Sequence, residues 1–290
     1  MRLAAIDIGT NSTRLLVADI TGESLREVDR HLTTTRLGEG INLGVLLPEP
    51  MEKAAVAIAG YCERATSLGA EQIVAVATSC VRDAANQNEF LGMIRQRANI
   101  DVRIINGDEE AILSYKGVLA GLPLESTGSV VLDVGGGSTE LIWQTAGQIH
   151  TTSVQMGAVR FAVCNYNEEQ ITELLVPVMK QLNKIPISSL AGVGGTITSL
   201  AAMDQQLAQY DPKRIHGYYL TSAAIDQIYD KLQSLTLEER KQIPGLQSAR
   251  ADIITGGTAI VRAVLRQLGI AGITVSESDI LQGLLLEFPC

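Results

Sequence analysis

Short apolar runs that end in an acid and a glycine alternate along this chain with longer stretches of helical periodicity. Residues 3–8, LAAIDI, pass through the polar turn GTNS into TRLLVADI, and residues 129–134, SVVLDV, pass through GGGS into TELIWQT. Each predicts a β-hairpin: an apolar strand, a tight turn and a returning strand. The two phrases are nearly one, IDIGTNSTRL against LDVGGGSTEL, and a turn glycine, Gly22 or Gly147, follows each. Two copies indicate a duplicated domain and not a solenoid. Elsewhere strands alternate with helices. EKAAVAIAGYCERATSLG predicts a helix, EQIVAVATS and DVRIING strands, and GDEEAILSYKGVLAG a helix. SSLAGVGGTITSLAAM predicts a strand, a glycine turn and a helix. ADIITGGTAIVRAVLRQLG reads as a helix interrupted at Gly-Gly, and SDILQGLLLEF as a closing amphipathic helix. That rhythm is α/β.

The 290 residues exceed the usual span of one core, so two domains are expected, 1–122 and 123–290. Between them Leu122-Pro123 and the polar run Glu125, Ser126, Thr127, Gly128 mark the crossing, and a C-terminal helix at about 277–290 is expected to return to the first domain. A hydrophobic fraction of 46% fills cores, yet no run is apolar for the roughly 18 residues of a membrane span. The start, MRLAAIDIG, lacks the charged head and apolar middle of a signal peptide, and Cys62, Cys80, Cys164 and Cys290 are scattered without metal-ligand spacing. A cytoplasmic protein with reduced thiols is expected. A net charge of −9 argues against general binding of nucleic acid or anionic membrane.

The repeated phrase carries the chemistry. Gly135, Gly136 and Gly137 place residues without side chains in a tight turn, where backbone N–H groups can approach a phosphate, and Ser138 and Thr139 add hydroxyls. Asp133 and Glu140 are oxygen ligands of the kind Mg²⁺ takes when it also holds phosphate. In the first copy Asn11, Ser12 and Arg14 supply donors instead, so one copy meets phosphate directly and the other through a cation. The bland alternative, two ordinary hairpins with structural glycines, suits one copy better than a matched pair.

These hairpins resemble those of the superfamily of acetate and sugar kinases, Hsp70 and actin. Within it, the run AIDIGTNSTRLLV, TRLGEG, VATSCVRDAAN, INGDEEAILSYKGV, LDVGGGSTEL, MGAVRF, GVGGT, RIHG and PGLQSARAD is similar to the exopolyphosphatase and guanosine pentaphosphate phosphohydrolase family, in the family's order. The resemblance implies two ribonuclease H-like, actin-like ATPase domains facing each other across a cleft, and a homodimer. It places the catalytic base on Glu110 of GDEEA, which would orient or deprotonate water for in-line attack. Glu109 beside it is expected to serve the helix N-terminus, where Asp108 could cap. The resemblance puts Arg82 near the substrate phosphates, where its planar fork suits them, Gly194 and Gly195 among the phosphate-binding residues, and Asp133 and Glu140 on the metal, with Asp7 reaching it through water. Arg14 and Arg160 are weaker candidates, since either could be a solvated or structural charge, and His216, a lone histidine, is expected to pack or hydrogen-bond. The metal is expected to be Mg²⁺, with Mn²⁺ as a substitute and K⁺ as an activator. The family's final helix commonly has Arg-Glu-Gly where this chain has Leu281-Gln282-Gly283, which leaves a substrate contact there unsupported. The short, two-domain form is expected. The implied reaction is release of phosphate from the end of inorganic polyphosphate. The alternatives are hydrolysis of guanosine pentaphosphate, a small-molecule kinase and a non-enzymatic nucleotide sensor.

Overall fold

The computed structural model describes residues 1–22, 24–125 and 128–288, so Ser126, Thr127 and Cys290 of the expectations above lie outside it. The chain forms two compact units, Met1–Gly117 with Ile280–Cys290, and Val118–Asp279. In the first, strands β1 (Arg2–Ile8), β2 (Ser12–Thr21), β3 (Ser24–Thr34), β4 (Gln72–Ala77) and β5 (Val102–Ile104) form a sheet in the order β3-β2-β1-β4-β5. The first three strands are an antiparallel meander, while β4 and β5 run parallel to β1. In the second, β6 (Ser129–Val134), β7 (Thr139–Thr145), β8 (Gln148–Val154), β9 (Ser189–Val193), β10 (Tyr219–Thr221) and β11 (Gly272–Val275) take the order β10-β11-β9-β6-β7-β8. Reading β8-β7-β6-β9-β11 against β3-β2-β1-β4-β5 gives the same topology and the same strand directions, with β10 added at the edge. Both units therefore have the ribonuclease H-like arrangement, and the predicted α/β duplication is present.

Both hairpins of the repeat form as predicted. Each also acquires a third strand, β3 or β8, which the apolar pattern does not announce. The reason lies in their position at sheet edges, where charged and polar residues such as Arg26, Glu27, Asp29 and Arg30 discourage pairing with other chains. Ala146 (φ 49°) and Gly147 (φ 81°) make the β7–β8 turn, the two left-handed residues that match strand twist in a two-residue loop.

Side-chain alternation sets the cores. On β1, Ala4, Ile6 and Ile8 face the helices Pro48–Ser67 and Gln87–Ala98 through Met51, Ile58, Phe90 and Ile94. Leu3 and Ala5 face the other way, with Leu16, Ala18 and Leu113, against Ile280, Leu281, Leu284 and Leu285. Asp7 and Arg14 continue this second face beyond its apolar part. In the second unit one large cluster joins Val130, Leu132 and Val134 to Leu175, Leu200, Ile225 and Ile260 of the surrounding helices.

Two helices differ from expectation. Gly256 and Gly257 do not interrupt their helix, which runs unbroken from Ile254 to Leu268. A Cβ on Gly256 would lie 2.3 Å from the Phe161 ring, and one on Gly257 2.4 Å from the Thr196 hydroxyl, so these glycines permit close packing. The closing helix is Ile280–Leu285, shorter than 277–290, and all six residues are buried, Gln282 included, so it is not amphipathic. A Cβ at Gly283 would lie 1.9 Å from the Leu113 carbonyl oxygen, a backbone approach that only glycine allows. Among the described residues no helix is long and apolar enough to cross a membrane.

His216 has a structural post, as a lone histidine was expected to. Its Nδ1 accepts from the Glu277 N–H at 3.1 Å, so Nε2 carries the proton and donates to the Gly121 carbonyl at 2.9 Å. It thereby ties together the two stretches that lead out of and back into the first unit.

Candidate active site

The two repeat turns are built alike. Gly9 N–H donates to the Ser12 carbonyl at 3.0 Å, and Gly135 N–H to the Ser138 carbonyl at 3.1 Å. The outer carbonyls are then held from behind. In the second unit the Gly135 carbonyl accepts from Ala158 N–H (3.0 Å) and the Gly136 carbonyl from Val159 (2.8 Å) and Arg160 (3.0 Å). The Gly137 carbonyl accepts from Arg160 Nε at 2.8 Å. In a planar trans peptide the N–H points opposite to the preceding carbonyl, so the N–H groups of Gly136, Gly137 and Ser138 are turned away from these anchors. The first unit repeats the device: Gly38 N–H holds the Thr10 carbonyl (2.8 Å), and Thr35 and Arg36 hold that of Asn11 (3.1 and 2.9 Å), which turns out the N–H groups of Asn11 and Ser12. Such concave N–H arrays bind anions.

Side chains in the turns divide between the two tasks. Asn11 Nδ2 donates to Ser12 Oγ at 3.2 Å, and both residues are largely buried, as is Ser138. Thr139 is fully buried and its hydroxyl donates to the Met156 carbonyl, anchoring the turn from within. Arg160 works through its backbone, Nε and an Nη2 bond to Gln155 Oε1 at 2.7 Å, again as an anchor.

The strands next to the turns carry the repeat's central difference. Asp7 stands opposite Arg14 in the β1–β2 register, and Asp133 opposite Glu140 in β6–β7. Arg14 donates from Nε (3.0 Å) and Nη2 (2.7 Å) to Oδ2 of Asp7, a nearly buried carboxylate neutralised by its own hairpin. In the second unit two acids occupy the pair, and residues directly opposite in an antiparallel ladder have Cβ atoms about 4.5–5.5 Å apart, close enough for like charges to destabilise it. Glu140 is 1% exposed, and Ser153 on β8 donates to its Oε1 at 2.7 Å. Gly194 approaches the same place: its φ is 93°, and a Cβ there would lie 3.0 Å from Asp133 Oδ1 and 2.6 Å from the Val134 carbonyl. Gly195 opens the following helix, Gly195–Asp204.

Glu110 and Arg82 are brought together in the first unit. Asn106 caps the helix Gly107–Gly121 by accepting from Glu109 N–H (2.9 Å) while Glu109 Oε2 accepts from Asn106 N–H (3.0 Å). Glu109 thus serves the helix end, as expected, although the cap is Asn106 and not Asp108. Glu110, one residue on, lies on a different side and is mostly buried, with Arg82 Nη1 at 3.1 Å from its Oε2. Arg82 Nη1 also donates to the Ile105 carbonyl at 2.9 Å, and its Nε lies 3.7 Å from Asp83. Arg82 thus orients Glu110 directly. Cys80, on the same turn of helix as Arg82, is buried; burial pushes its thiol up to about 12, opposed by a hydrogen bond to Thr10.

Several residues escape a reading of the sequence alone. Ser153 lies on an edge strand with no apolar signature, Asn106 caps from outside its helix, and Gly157 packs so that a Cβ would sit 2.5 Å from the Gly136 carbonyl carbon. Arg250 covers Gly195, where a Cβ would meet its Nη1 at 2.0 Å. The motifs MGAVRF and PGLQSARAD marked the last two stretches without assigning a task.

Residues 16–288 match the model of the Ppx/GppA phosphatase family. The chain belongs to that family. Exopolyphosphatase 2 of Mycobacterium tuberculosis is 33% identical over 313 aligned positions, which cover 99% of this chain and 98% of the relative. A solved exopolyphosphatase from Cytophaga hutchinsonii superposes with a TM-score of 0.91 at 27% identity, covering 99% and 98% of the two chains. The PPX-GPPA enzyme of Aquifex aeolicus gives 0.82 at 30% identity, with 99% of each chain covered. The protein is accordingly a phosphoanhydride hydrolase, which removes the kinase and the non-enzymatic sensor from the alternatives.

Proposed function

We propose that this Ppx/GppA member is an exopolyphosphatase, releasing terminal phosphate from inorganic polyphosphate by in-line attack of water. The observation that carries this reading is the pair formed by Glu110 and Arg82: a largely buried carboxylate, oriented at 3.1 Å by a guanidinium, in a chain that also turns two sets of backbone N–H groups outward. Phosphoryl transfer passes through a loose transition state in most descriptions, so the catalyst needs to position water and accept its proton late. A carboxylate fixed by an arginine can do both, and Glu110 is assigned that role. The N–H groups at Asn11 and Ser12, and at Gly136, Gly137 and Ser138, are assigned to the phosphates, with Arg14 and Gly194-Gly195 in support.

Asp133 and Glu140 suit a hard divalent cation, because oxygen ligands in a cross-strand pair can share one ion that also removes their mutual repulsion. Among the described residues no three His, Cys, Asp or Glu side chains converge as a ligand set. The cation, Mg²⁺ by this donor chemistry, would complete its shell with water and phosphate oxygens. When bound, it would neutralise charge developing on the phosphates. Asp7 is committed to Arg14 and would act on the cation at most through water.

The substrate is tested by measuring phosphate release side by side on polyphosphates of several lengths and on guanosine pentaphosphate, each with Mg²⁺ and no acceptor. Steady release from polyphosphate with a higher kcat/KM than from guanosine pentaphosphate is expected. The reverse ranking would move the assignment to the pentaphosphate.

A further inference from the structure

The two sheets carry matching rows across four strands. In the first the row is Val76, Asp7, Arg14 and Leu32; in the second it is Val193, Asp133, Glu140 and Ser153. Cross-strand neighbours share a face, so Ser153 lies beside Glu140 on the side away from Asp133. Leu32, at the matching place, is 42% exposed and offers no side-chain hydrogen bond. Where the row holds an acid and arginine, its end is a leucine; where it holds two acids, its end is a hydroxyl that donates to the second acid at 2.7 Å.

We propose that Ser153 is a positioning residue for a divalent cation held by Asp133 and Glu140, an inference that rests on the metal reading given above. A carboxylate can rotate about its terminal bond, and each rotation offers the cation a different oxygen. The Ser153 hydroxyl, fixed by the β7–β8 ladder, ties down Oε1 and so selects one rotation of the Glu140 carboxylate. Outer hydrogen bonds of this type orient ligands in metal sites, and their loss commonly weakens affinity by about 10–100-fold. Arg14 needs no such fixing, because its fork is rigid and already bonded to Asp7.

The test is calorimetric titration of the full chain with Mn²⁺ in the absence of substrate, alongside a thermal melt without metal. Ser153→Ala is expected to weaken Mn²⁺ binding by about 10–100-fold, and Ser153→Thr, which keeps the hydroxyl, to hold it within about threefold of the parent. In phosphate-release assays the Ser153→Ala chain should need correspondingly more Mg²⁺ while its kcat at saturating metal changes little. If Ser153→Ala lowers only the melting temperature and leaves Mn²⁺ affinity unchanged while Glu140→Gln and Asp133→Asn weaken it, Ser153 is structural and the inference fails alone. If none of the three weakens Mn²⁺ binding, the metal site itself is wrong and the inference falls with it.

Discussion

The two hairpins of this protein are one design carried out with opposite electrostatics. Both turn their backbone N–H groups outward by holding the preceding carbonyls from a following segment, residues 35–38 in one unit and 158–160 in the other. Beside the turns they diverge: Asp7 is neutralised internally by Arg14, whereas Asp133 faces a second acid, Glu140. A closed ion pair offers a finished, rigid surface to an anion. A carboxylate pair presents two negative groups side by side, the feature on which the proposed cation site rests. The exchange of Arg14 for Glu140, one of five differences between the ten-residue phrases, thus sets the charge beside each turn, and with it the proposed division between a turn that neutralises phosphate itself and one that does so with a cation.

The largest effect that would sharpen this comparison separates the proton acceptor from the cation. Glu110→Gln keeps the size of the side chain and loses its basicity, so kcat should fall by about 10²–10⁴ with little change in polyphosphate affinity, and added Mg²⁺ should not restore it. Glu140→Gln or Asp133→Asn should instead raise the Mg²⁺ requirement and recover partly in excess metal. Rescue of Glu110→Gln by metal would reassign that residue, with Glu109 then the first acid to consider.

Removing each hairpin's partner should change metal-free stability in opposite directions. Arg14→Ala strands a nearly buried Asp7 and is expected to destabilise by about 3 kcal/mol, with Asp7→Asn in the same chain restoring much of it. Glu140→Gln relieves like charge while keeping an acceptor for Ser153, so denaturant unfolding without metal should show a gain of about 0.5 kcal/mol. Equal losses from both substitutions would erase the proposed difference.

The turns should prove less tolerant than the strands that carry them. Gly157→Ala drives a Cβ to 2.5 Å from the Gly136 carbonyl, and the backbone shift is expected to destabilise by about 1–3 kcal/mol and to weaken phosphate binding beyond that loss of fold. Full affinity in a folded Gly157→Ala chain would mean that the array need not be so tightly held.

The smallest effect concerns distant phosphates. Of the 23 basic residues, 12 lie at or before Lys116 and 11 at or after Arg160, with no dense cluster to follow a long polyanion, and the net charge is −9. Beyond short chains kcat/KM should therefore stay nearly flat with polyphosphate length. A clear rise towards hundreds of phosphates would show a basic track that the residue order does not reveal.

What the sequence determined by itself is local and periodic. Apolar runs ending in Asp7 and Asp133, glycines at the turns and the helix-favouring residues of GDEEAILSYKGVLAG depend on neighbours within a few positions, so they specified the hairpins, the helix and the α/β rhythm. The motif order likewise pointed to the phosphatase family and to Glu110. The tertiary structure alone decided matters that turn on distance across the chain. Arg82 reaches Glu110 over 28 positions, and Gly256-Gly257 stays helical because Phe161 and Thr196 press on it. The closing helix is buried throughout because it docks on a sheet face made of residues near the opposite end of the chain. The edge strands β3 and β8, with Ser153 on the latter, form because a neighbouring strand presents its unpaired backbone groups, and a polar segment answers that demand without any apolar signal of its own.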